Sequence, residues 1–372
     1  MNANIGWQQD LLRFVAGQCV GDGGRYRYAA GCTTPTLYSS TYAAMARHML
    51  GDLDALPQGE RAEWIAYLQA HQDDDGLFRD PVIFDQGWLK GDPLDCGRPH
   101  LTCHVIAALT CLGAVAEKPL SWLDPWREPG ALVRWLEARD WGERVAWTGN
   151  EIMNVGVLLQ YARDFHNDTS AGRAVAILLD WLANHRVNPA TGVWGEVDIA
   201  DPIWRSHAVQ AAYHWWPLFF YDGVRPPHVE RAIDTVLATQ NPLGGFGWGV
   251  HNPADPFMSS ACEDIDSIDP LCRMVQLTDY RRADIETALT MAADWVLTNR
   301  MPDGGFVFIR NRAFEYGHPE LRGETNQGAM FPNWFRLLSL ALIGKALPEH
   351  ELGQVPWRFL QCPGMQFWGT RR

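Results

Sequence analysis

The stretch NPLGGFGW, residues 241–248, is one of six short turns in which glycine and polar residues accompany an aromatic side chain. The aromatic residues of these turns are Tyr26, Phe78, Trp141, Trp194, Phe246 and Phe306, so the turns recur every 52 to 63 residues. A period of this length accommodates two helices and their connections. Since one helical hairpin cannot bury its apolar faces alone, we expect the six units to stack on one another.

Between the turns, apolar residues recur at helical spacing, and the alternation typical of strands is rare. One series of segments is apolar on nearly all sides, which predicts buried helices over residues 38–50, 100–114, 150–166, 204–220, 264–276 and 329–345. A second series carries a charged stripe, which predicts amphipathic helices over residues 5–17, 58–71, 129–139, 171–186, 227–240 and 282–299. The pattern therefore predicts an all-α fold, a single (α/α)6 toroid domain over residues 1–372 with six inner and six outer helices.

Composition narrows the classes of function. The net charge is −13 and no cluster of Lys and Arg is present, which argues against a nucleic-acid partner. The eight cysteines are scattered, which favours reduced thiols over a disulfide framework. The N-terminal MNANIGWQQDLL does not resemble a secretory signal, and the apolar runs are too short to span a bilayer. We therefore expect a cytoplasmic protein without an integral membrane span.

The candidate chemistry concentrates in ACEDIDSIDP, residues 261–270, at the start of the fifth inner helix. Glu263, Asp266 and Asp269 are spaced three apart and share one helix face, and Asp264 lies beside them. Neighbouring carboxylates in a partly dry mouth of the ring cannot all remain ionised at low cost. One of them should hold its proton near neutral pH, as a general acid must. Capping of the helix is the alternative role, above all for Asp264.

Other residues predicted at this mouth of the ring are candidate substrate contacts: His100, His104, Glu151, Trp204, Arg205, His207, Asn326 and Trp334. Polar side chains on buried helices cost free energy unless they are paired or face a cavity. For Glu151, capping of a helix start is an equal alternative. His100 and His104 are four residues apart, a spacing compatible with a metal, but no third ligand is evident. We expect no metal and no cofactor.

The turns at residues 72–78, 240–248 and 301–308 resemble the QW-type repeats of the terpene cyclase and protein-prenyltransferase superfamily. In class II terpene cyclases, a glycine–aromatic turn leads into an Asp-X-Asp-Asp helix start. Asp264-Ile265-Asp266-Ser267 stands at the corresponding place. The resemblance implies an enzyme of isoprenoid biosynthesis, an isomerase or lyase, in which Asp266 protonates an alkene. Glu263, Asp264 and Asp269 would tune its proton affinity.

Two other functions remain open on the residues alone. A carbohydrate-active toroid, whether glycoside hydrolase, lyase or epimerase, would use Glu151 and Asp266 as paired carboxylates. A binding or scaffold subunit would be completed by a partner subunit or by a second copy in a homo-oligomer, although the acidic cluster argues against this role. The expected ligand is a small molecule, either an isoprenoid or a saccharide. The character of the central cavity distinguishes them, since an isoprenoid requires aromatic walls and a sugar requires polar ones.

Overall fold

The computed structural model describes residues 6–371. The first predicted helix begins at residue 5, which lies outside the described part, as do the first five residues of the segment compared above with a secretory signal. Six helices form the inner layer: α2 (Leu37–Met49), α4 (Arg98–Leu112), α7 (Val145–Phe165), α9 (Pro202–Asp222), α11 (Ala261–Met274) and α13 (Met330–Ala346). Six form the outer layer: α1 (Gly6–Gly17), α3 (Gln58–Gln69), α6 (Pro129–Glu137), α8 (Thr169–Asn184), α10 (Val229–Leu237) and α12 (Arg282–Thr298).

The connections contain few regular elements. A single helical turn, α5 (Asp124–Arg127), precedes α6, and strands β1 (Phe314–Glu315) and β2 (Arg322–Gly323) form a short antiparallel hairpin before α13. Short 3-10 turns cover Asp52–Ala55, Gly87–Leu89, Ser121–Leu123, Pro319–Leu321 and Glu351–Gln354. The hairpin and α5 were not predicted, because they are too short to produce a hydrophobic period.

The inner helices close into a ring. Each packs on the next along the chain, from α2 through α4, α7, α9 and α11 to α13, and α13 packs back on α2. Burial follows the two predicted classes: every residue of α13 except Lys345 is buried. The outer helix α10 instead buries one stripe that includes Val229, Ala232, Ile233 and Val236, as an amphipathic helix does. The predicted (α/α)6 toroid is thus confirmed.

One helix boundary differs instructively from the prediction. Gly149 and Asn150 indicated a helix start, whereas α7 begins at Val145 and contains both residues. A Cβ atom built on Gly149 would lie 2.9 Å from the Cα of Ala211 in α9. The glycine therefore permits close packing of two inner helices and does not mark a terminus.

The repeating turns share one geometry. In five of them a residue before the turn forms an isolated β-bridge with the aromatic residue: Cys19 with Tyr26, Gln72 with Phe78, Val187 with Trp194, Gln240 with Phe246 and Arg300 with Phe306. The turn at Trp141 is held instead by its indole Nε1, which donates to the carbonyl of Leu136 at 3.0 Å. Gly244 has φ of 95°, and a Cβ there would lie 2.8 Å from the carbonyl oxygen of Met291, so this turn requires glycine.

The C-terminal segment, residues 360–371, crosses the end of the ring where the inner helices finish. Gln366 donates to the carbonyl of Met45 in α2 at 3.1 Å, and Arg273 in α11 donates to the carbonyl of Phe367 at 3.0 Å. The N–H of Arg371 donates to the carbonyl of Tyr221 in α9 at 2.7 Å. This segment therefore covers the end of the ring opposite the starts of the inner helices.

All eight cysteines are free thiols. Across residues 6–371, every helix is too short or too polar to cross a lipid bilayer.

Candidate active site

A cavity of about 290 Å³ opens at the mouth of the ring where the inner helices begin. Side chains from five inner helices and from the connecting loops form its wall. Eight lining residues are aromatic: Trp88, Trp147, Tyr213, Phe308, Phe314, Tyr316, Phe331 and Phe335. The polar ones include Asp95, His100, Asn150, Gln210, His214, His251 and Asp266. The cavity is therefore a mainly apolar chamber whose wall combines eight aromatic side chains with seven polar ones.

Asp266 is the one residue of the acidic cluster on this wall. It lies in the second turn of α11, is 4% exposed and makes no hydrogen bond with any described residue. Burial raises its pKa well above the usual range for aspartate, and the charges of Glu263, Asp264 and Asp269 raise it further. A carboxylic acid that keeps its proton at neutral pH can donate that proton to a bound molecule.

Asp264 has a different environment although it lies only two residues away. Its Oδ1 accepts from the N–H of Phe246 at 2.9 Å and from the hydroxyl of Ser259 at 2.8 Å. Its Oδ2 accepts from Trp295 Nε1 at 2.9 Å and from Arg336 Nη1 at 2.8 Å. Because both oxygens are occupied by two donors each, this side chain is held as a carboxylate and has no free oxygen to carry a transferable proton.

The contact between Asp264 and the turn has counterparts around the ring. In three other repeats the N–H of the aromatic turn residue donates to an inner-helix side chain: Tyr26 to Ser40, Phe78 to Thr102 and Phe306 to Asn333. Asp264 thus occupies a position that anchors a turn to an inner helix. Its prediction as a catalytic residue is corrected accordingly: the structure gives it a folding role.

Glu263 caps the helix that carries Asp266. Its carboxylate accepts from the N–H of Ser260 at 2.8 Å, and its own N–H donates to the Ser260 hydroxyl at 3.1 Å, which forms a capping box. Burial opposes its ionisation, but the hydrogen bond and charge of His251 and the contacts with Ser260 outweigh that effect and lower its pKa. Glu263 does not line the cavity; it acts on Asp266 as a neighbouring negative charge.

Asp269 belongs to the far end of the ring. One of its oxygens accepts from Arg273 Nε, and the other has no hydrogen-bond partner among the described residues. The Arg273 guanidinium also lies over the ring of Phe367, 4.1 Å from its centroid. Burial raises the pKa of Asp269, although Arg273 opposes the shift. Asp269 does not reach the cavity, so its predicted catalytic role is limited to a charge effect on Asp266.

Three histidines lie on the cavity wall and come from separate segments: His100, His214 and His251. His100 lies on α4, and its Nδ1 is 2.7 Å from the hydroxyl of Tyr38. Burial lowers its pKa well below the usual histidine value, and the nearby His104 and His214 lower it further. Burial also lowers the pKa of His214 to about 4. The imidazoles of His100 and His214 are therefore neutral at physiological pH.

His104 does not line the cavity, contrary to prediction. Its Nδ1 contacts the carbonyl of His100 at 2.9 Å, and its ring packs edge-on against Tyr42 and Trp334. Trp334 was also predicted to bind substrate, but its indole Nε1 donates to Gln366 at 2.8 Å. Both side chains are buried in the core of the ring, away from the cavity wall.

Glu151 also lies outside the cavity. Its Oε2 accepts a hydrogen bond from Nη1 of Arg139 at 2.7 Å. Arg139 follows the outer helix α6. The predicted pair of facing carboxylates, Glu151 and Asp266, is therefore wrong, because only Asp266 faces the cavity. The residue that contributes a second carboxylate to the wall is Asp95, from the loop before α4.

The remaining predicted contacts lie at the rim or on a loop. Trp204, Arg205 and His207 occupy the first turns of α9, where Arg205 Nε donates to the carbonyl of Ile199 at 3.0 Å. Asn326 is exposed in the connection to α13 and donates to Asn311 at 3.2 Å. None of these four residues lines the cavity.

Two loops cover part of the cavity and supply residues that sequence reasoning missed. Trp88 lies over Gly317, and a Cβ on Gly317 would lie 1.5 Å from the Trp88 Nε1. A Cβ on Gly87 would lie 1.8 Å from the carbonyl oxygen of Gly317. Trp88 also contacts Tyr316 edge-on, with ring centroids 5.3 Å apart. These loops have no periodic pattern, and only their glycine–aromatic content could have indicated such a contact.

Within the described part of the chain, no group of three or more His, Cys, Asp or Glu side chains is arranged to hold a metal ion.

Known proteins are similar to this chain in fold but not in sequence. Neither a protein-family model nor a curated protein sequence matches it. Among solved structures, a D-mannose isomerase is similar at 14% identity and a TM-score of 0.53, with 93% of this chain and 97% of that chain covered. An α-1,6-mannanase from Salegentibacter, solved with α-1,6-mannotriose, is similar at 11% identity and a TM-score of 0.50, with 92% and 98% covered.

A type II terpene cyclase from Scytonema is similar at 13% identity and a TM-score of 0.48, with 93% and 97% of the two chains covered. At such identities a likeness shows the fold and leaves the reaction to be argued from the site. The chain has the (α/α)6 toroid fold.

Proposed function

We propose that this protein is an isoprenoid cyclase of the class II type, in which Asp266 protonates a carbon–carbon double bond of a substrate held in the central cavity. The observation that carries the proposal is a buried carboxylic acid on the wall of a mainly apolar chamber that has eight aromatic side chains; this acid makes no hydrogen bond with any described residue. Protonation of an alkene needs an acid that is neutral before the step and a surrounding that does not react with the cation formed.

The chemistry follows from these groups. The O–H bond of Asp266 breaks as a C–H bond forms at one alkene carbon, and a carbocation is left on the more substituted carbon. The π electrons of the next double bond attack this cation and form a new C–C bond. The faces of Phe308, Phe331 and Phe335 stabilise the cation, and the negative charge of Glu263 favours it from behind Asp266. The last cation loses a proton to water, and Asp266 regains a proton from water, which completes an isomerisation that needs no cofactor.

The resemblance of the turns and of Asp264-Ile265-Asp266-Ser267 to class II cyclases supports this proposal. The fold does not distinguish a cyclase from a sugar enzyme, since proteins with similar toroids include sugar enzymes as well as a terpene cyclase. The cavity supports the cyclase, because its wall has eight aromatic side chains and one acid, Asp266, that makes no hydrogen bond with any described residue.

A second candidate is a sugar isomerase or epimerase. It is favoured by the neutral imidazoles of His100 and His214, which could move a proton from a carbon beside a carbonyl, and by Gln210 and Asn150, which could bind hydroxyl groups. The toroid of D-mannose isomerase is of the same fold. The hydrolase that would pair Glu151 with Asp266 is not a candidate, because Glu151 is bound to Arg139 outside the cavity.

One experiment separates the candidates. The protein is incubated with linear farnesyl compounds and, in parallel, with D-mannose and D-fructose, and products are identified by mass spectrometry and NMR. We expect cyclic isomers of a farnesyl compound from the wild type and from the surface control Asp279→Asn, and none from Asp266→Asn. Interconversion of sugars that persists in Asp266→Asn and is lost in His100→Asn would establish the second candidate instead.

A further inference from the structure

We infer that the substrate of this cavity carries an uncharged, planar head group in place of a diphosphate, and that Trp88 and Trp147 bind this head group at the mouth. The inference rests on the proposed cyclase function and specifies its substrate class. It is drawn from the charge of the cavity wall and from the exposure of two aromatic side chains.

The wall offers no fixed cation to a diphosphate. Its side chains with a full charge or a carboxyl group are Asp95 and Asp266, and no Lys or Arg of the described chain is among the lining residues. Phosphate groups are normally bound by Arg and Lys side chains, by helix N-termini or by a metal ion. A diphosphate at this mouth would therefore meet the carboxylate of Asp95, and no lining side chain is a Lys or Arg that could bind it.

Cationic side chains that touch the wall residues are already engaged. Arg144 lies 3.7 Å from the Asp95 carboxylate, and Arg312 Nη1 donates to Asn252 Oδ1 at 2.8 Å. His251 lies 3.4 Å from Glu263, so that any positive charge on its ring is matched by that carboxylate. These basic groups therefore already face acceptors of the protein itself, which favours an uncharged head group over a diphosphate.

The mouth presents two large apolar faces. Trp88, on the loop before α4, is 50% exposed, and Trp147, in the first turn of α7, is 40% exposed. Both line the cavity, although tryptophan is usually well buried in a folded protein. Trp88 is held from one side by Tyr316, and Trp147 by a contact with His207. Two indoles that are held in place and still exposed offer stacking surfaces to a planar ring.

Binding to Asp266→Asn, which retains the wall but lacks the acid, tests the inference without turnover. The ligands share one chain and differ in the head: farnesyl diphosphate, farnesol and farnesyl hydroquinone, each titrated by calorimetry. We expect the hydroquinone to bind more tightly than the diphosphate at low ionic strength. Trp88→Ala and Trp147→Ala should each weaken the hydroquinone by about two- to tenfold, the range of one aromatic stacking contact, and farnesol much less.

Leu243→Ala, at an exposed position of a turn outside the cavity, is the matched control and should not change any of the three affinities. Tighter binding of the diphosphate, or hydroquinone binding that neither tryptophan variant changes, would overturn the inference. The proposed function fails separately: if the wild type binds the hydroquinone as expected but returns it unchanged, the head-group assignment stands and the cyclase does not. If the wild type instead cyclises farnesyl diphosphate, the cyclase proposal stands and the head-group assignment is wrong.

Discussion

Asp264 and Arg336 form an ion pair in which neither side chain is accessible to solvent, with Oδ2 and Nη1 2.8 Å apart. The pair joins α11 to α13. Arg336 also donates to the carbonyls of Val307 and Phe308, at 2.9 and 3.0 Å, and so fixes the segment that places Phe308 on the cavity wall. The carboxylate beside the proposed acid therefore serves the architecture of the site, and of the four carboxylates between Glu263 and Asp269 only Asp266 lies on the cavity wall.

Removal of one partner of this pair should destabilise the protein strongly. We expect Asp264→Asn or Arg336→Met to lower the free energy of unfolding by about 3–5 kcal/mol, because each leaves a buried charge uncompensated. Urea unfolding followed by circular dichroism measures the change. Asp54→Asn, which breaks an exposed ion pair with Arg358, is the control and should leave the urea midpoint nearly unchanged. Equal effects of the buried and the exposed substitutions would contradict this account.

Asp266→Asn should change how stability depends on pH. The pKa of Asp266 is raised in the folded state, so the folded protein retains a proton that the unfolded chain releases above about pH 4. The wild type consequently loses stability as the pH rises from this value towards the folded-state pKa, and an asparagine has no proton to lose. We expect the variant to be the more stable protein at neutral pH.

The measurement is the difference between the two unfolding free energies at a series of pH values, in which shared contributions of other groups cancel. Asp279→Asn, at an exposed position, should parallel the wild type throughout. A difference between Asp266→Asn and the wild type that stays constant with pH would show that Asp266 is not held protonated.

The contact of Trp88 with Gly317 should control the loop that covers the cavity. Gly317→Ala places a methyl group on the Trp88 indole, so we expect Trp88 to be displaced and residues 85–97 to become more accessible to proteases. Gly91→Ala is a matched control in the same loop, since Gly91 also has a positive φ of 88° but has open space around it. If both variants are cleaved at the same rate, backbone strain and not the indole contact explains the effect.

The turn anchors should contribute measurably to stability. Thr102→Val removes the hydroxyl that accepts the N–H of Phe78 at 2.9 Å and leaves that donor buried without a partner. The expected loss is about 1–3 kcal/mol in the free energy of unfolding. Thr110→Val on the same helix is the control, because its hydroxyl donates to the carbonyl of Ile106 and accepts no turn N–H. A loss no larger than that of the control would argue that the turns are held by packing alone.

The sequence was sufficient to predict the ring, because the turn period and the two classes of helix are local patterns that bury or expose whole faces. The motif singled out Asp266 among the four carboxylates, and Asp266 is the one that lies on the cavity wall; its catalytic role stays a prediction. The sequence could not assign Asp264, because the partners of this side chain are distant: Trp295 and Arg336 are 31 and 72 residues away.

The cavity wall was less predictable than the ring. His100 was expected from its position at the start of an inner helix, whereas Trp88 and Tyr316 lie on loops without a hydrophobic period. The position of Glu151 was wrong because Gly149 and Asn150 indicate a helix start, whereas Gly149 lies inside α7 against Ala211. In each case the missing information was a contact between segments far apart in the chain.

The C-terminal segment closes one end of the ring, so the cavity is open at one end only. Since residues 360–371 lie across the far end of the ring, and Trp334 is tied to Gln366 beneath the cavity, a flexible chain cannot thread through the molecule. On the proposed function, the substrate enters the cavity with its hydrocarbon chain first, and the product leaves through the same mouth. The distance from the mouth to the closed end of the cavity then limits the length of the substrate chain, and a deeper cavity would accept a longer chain.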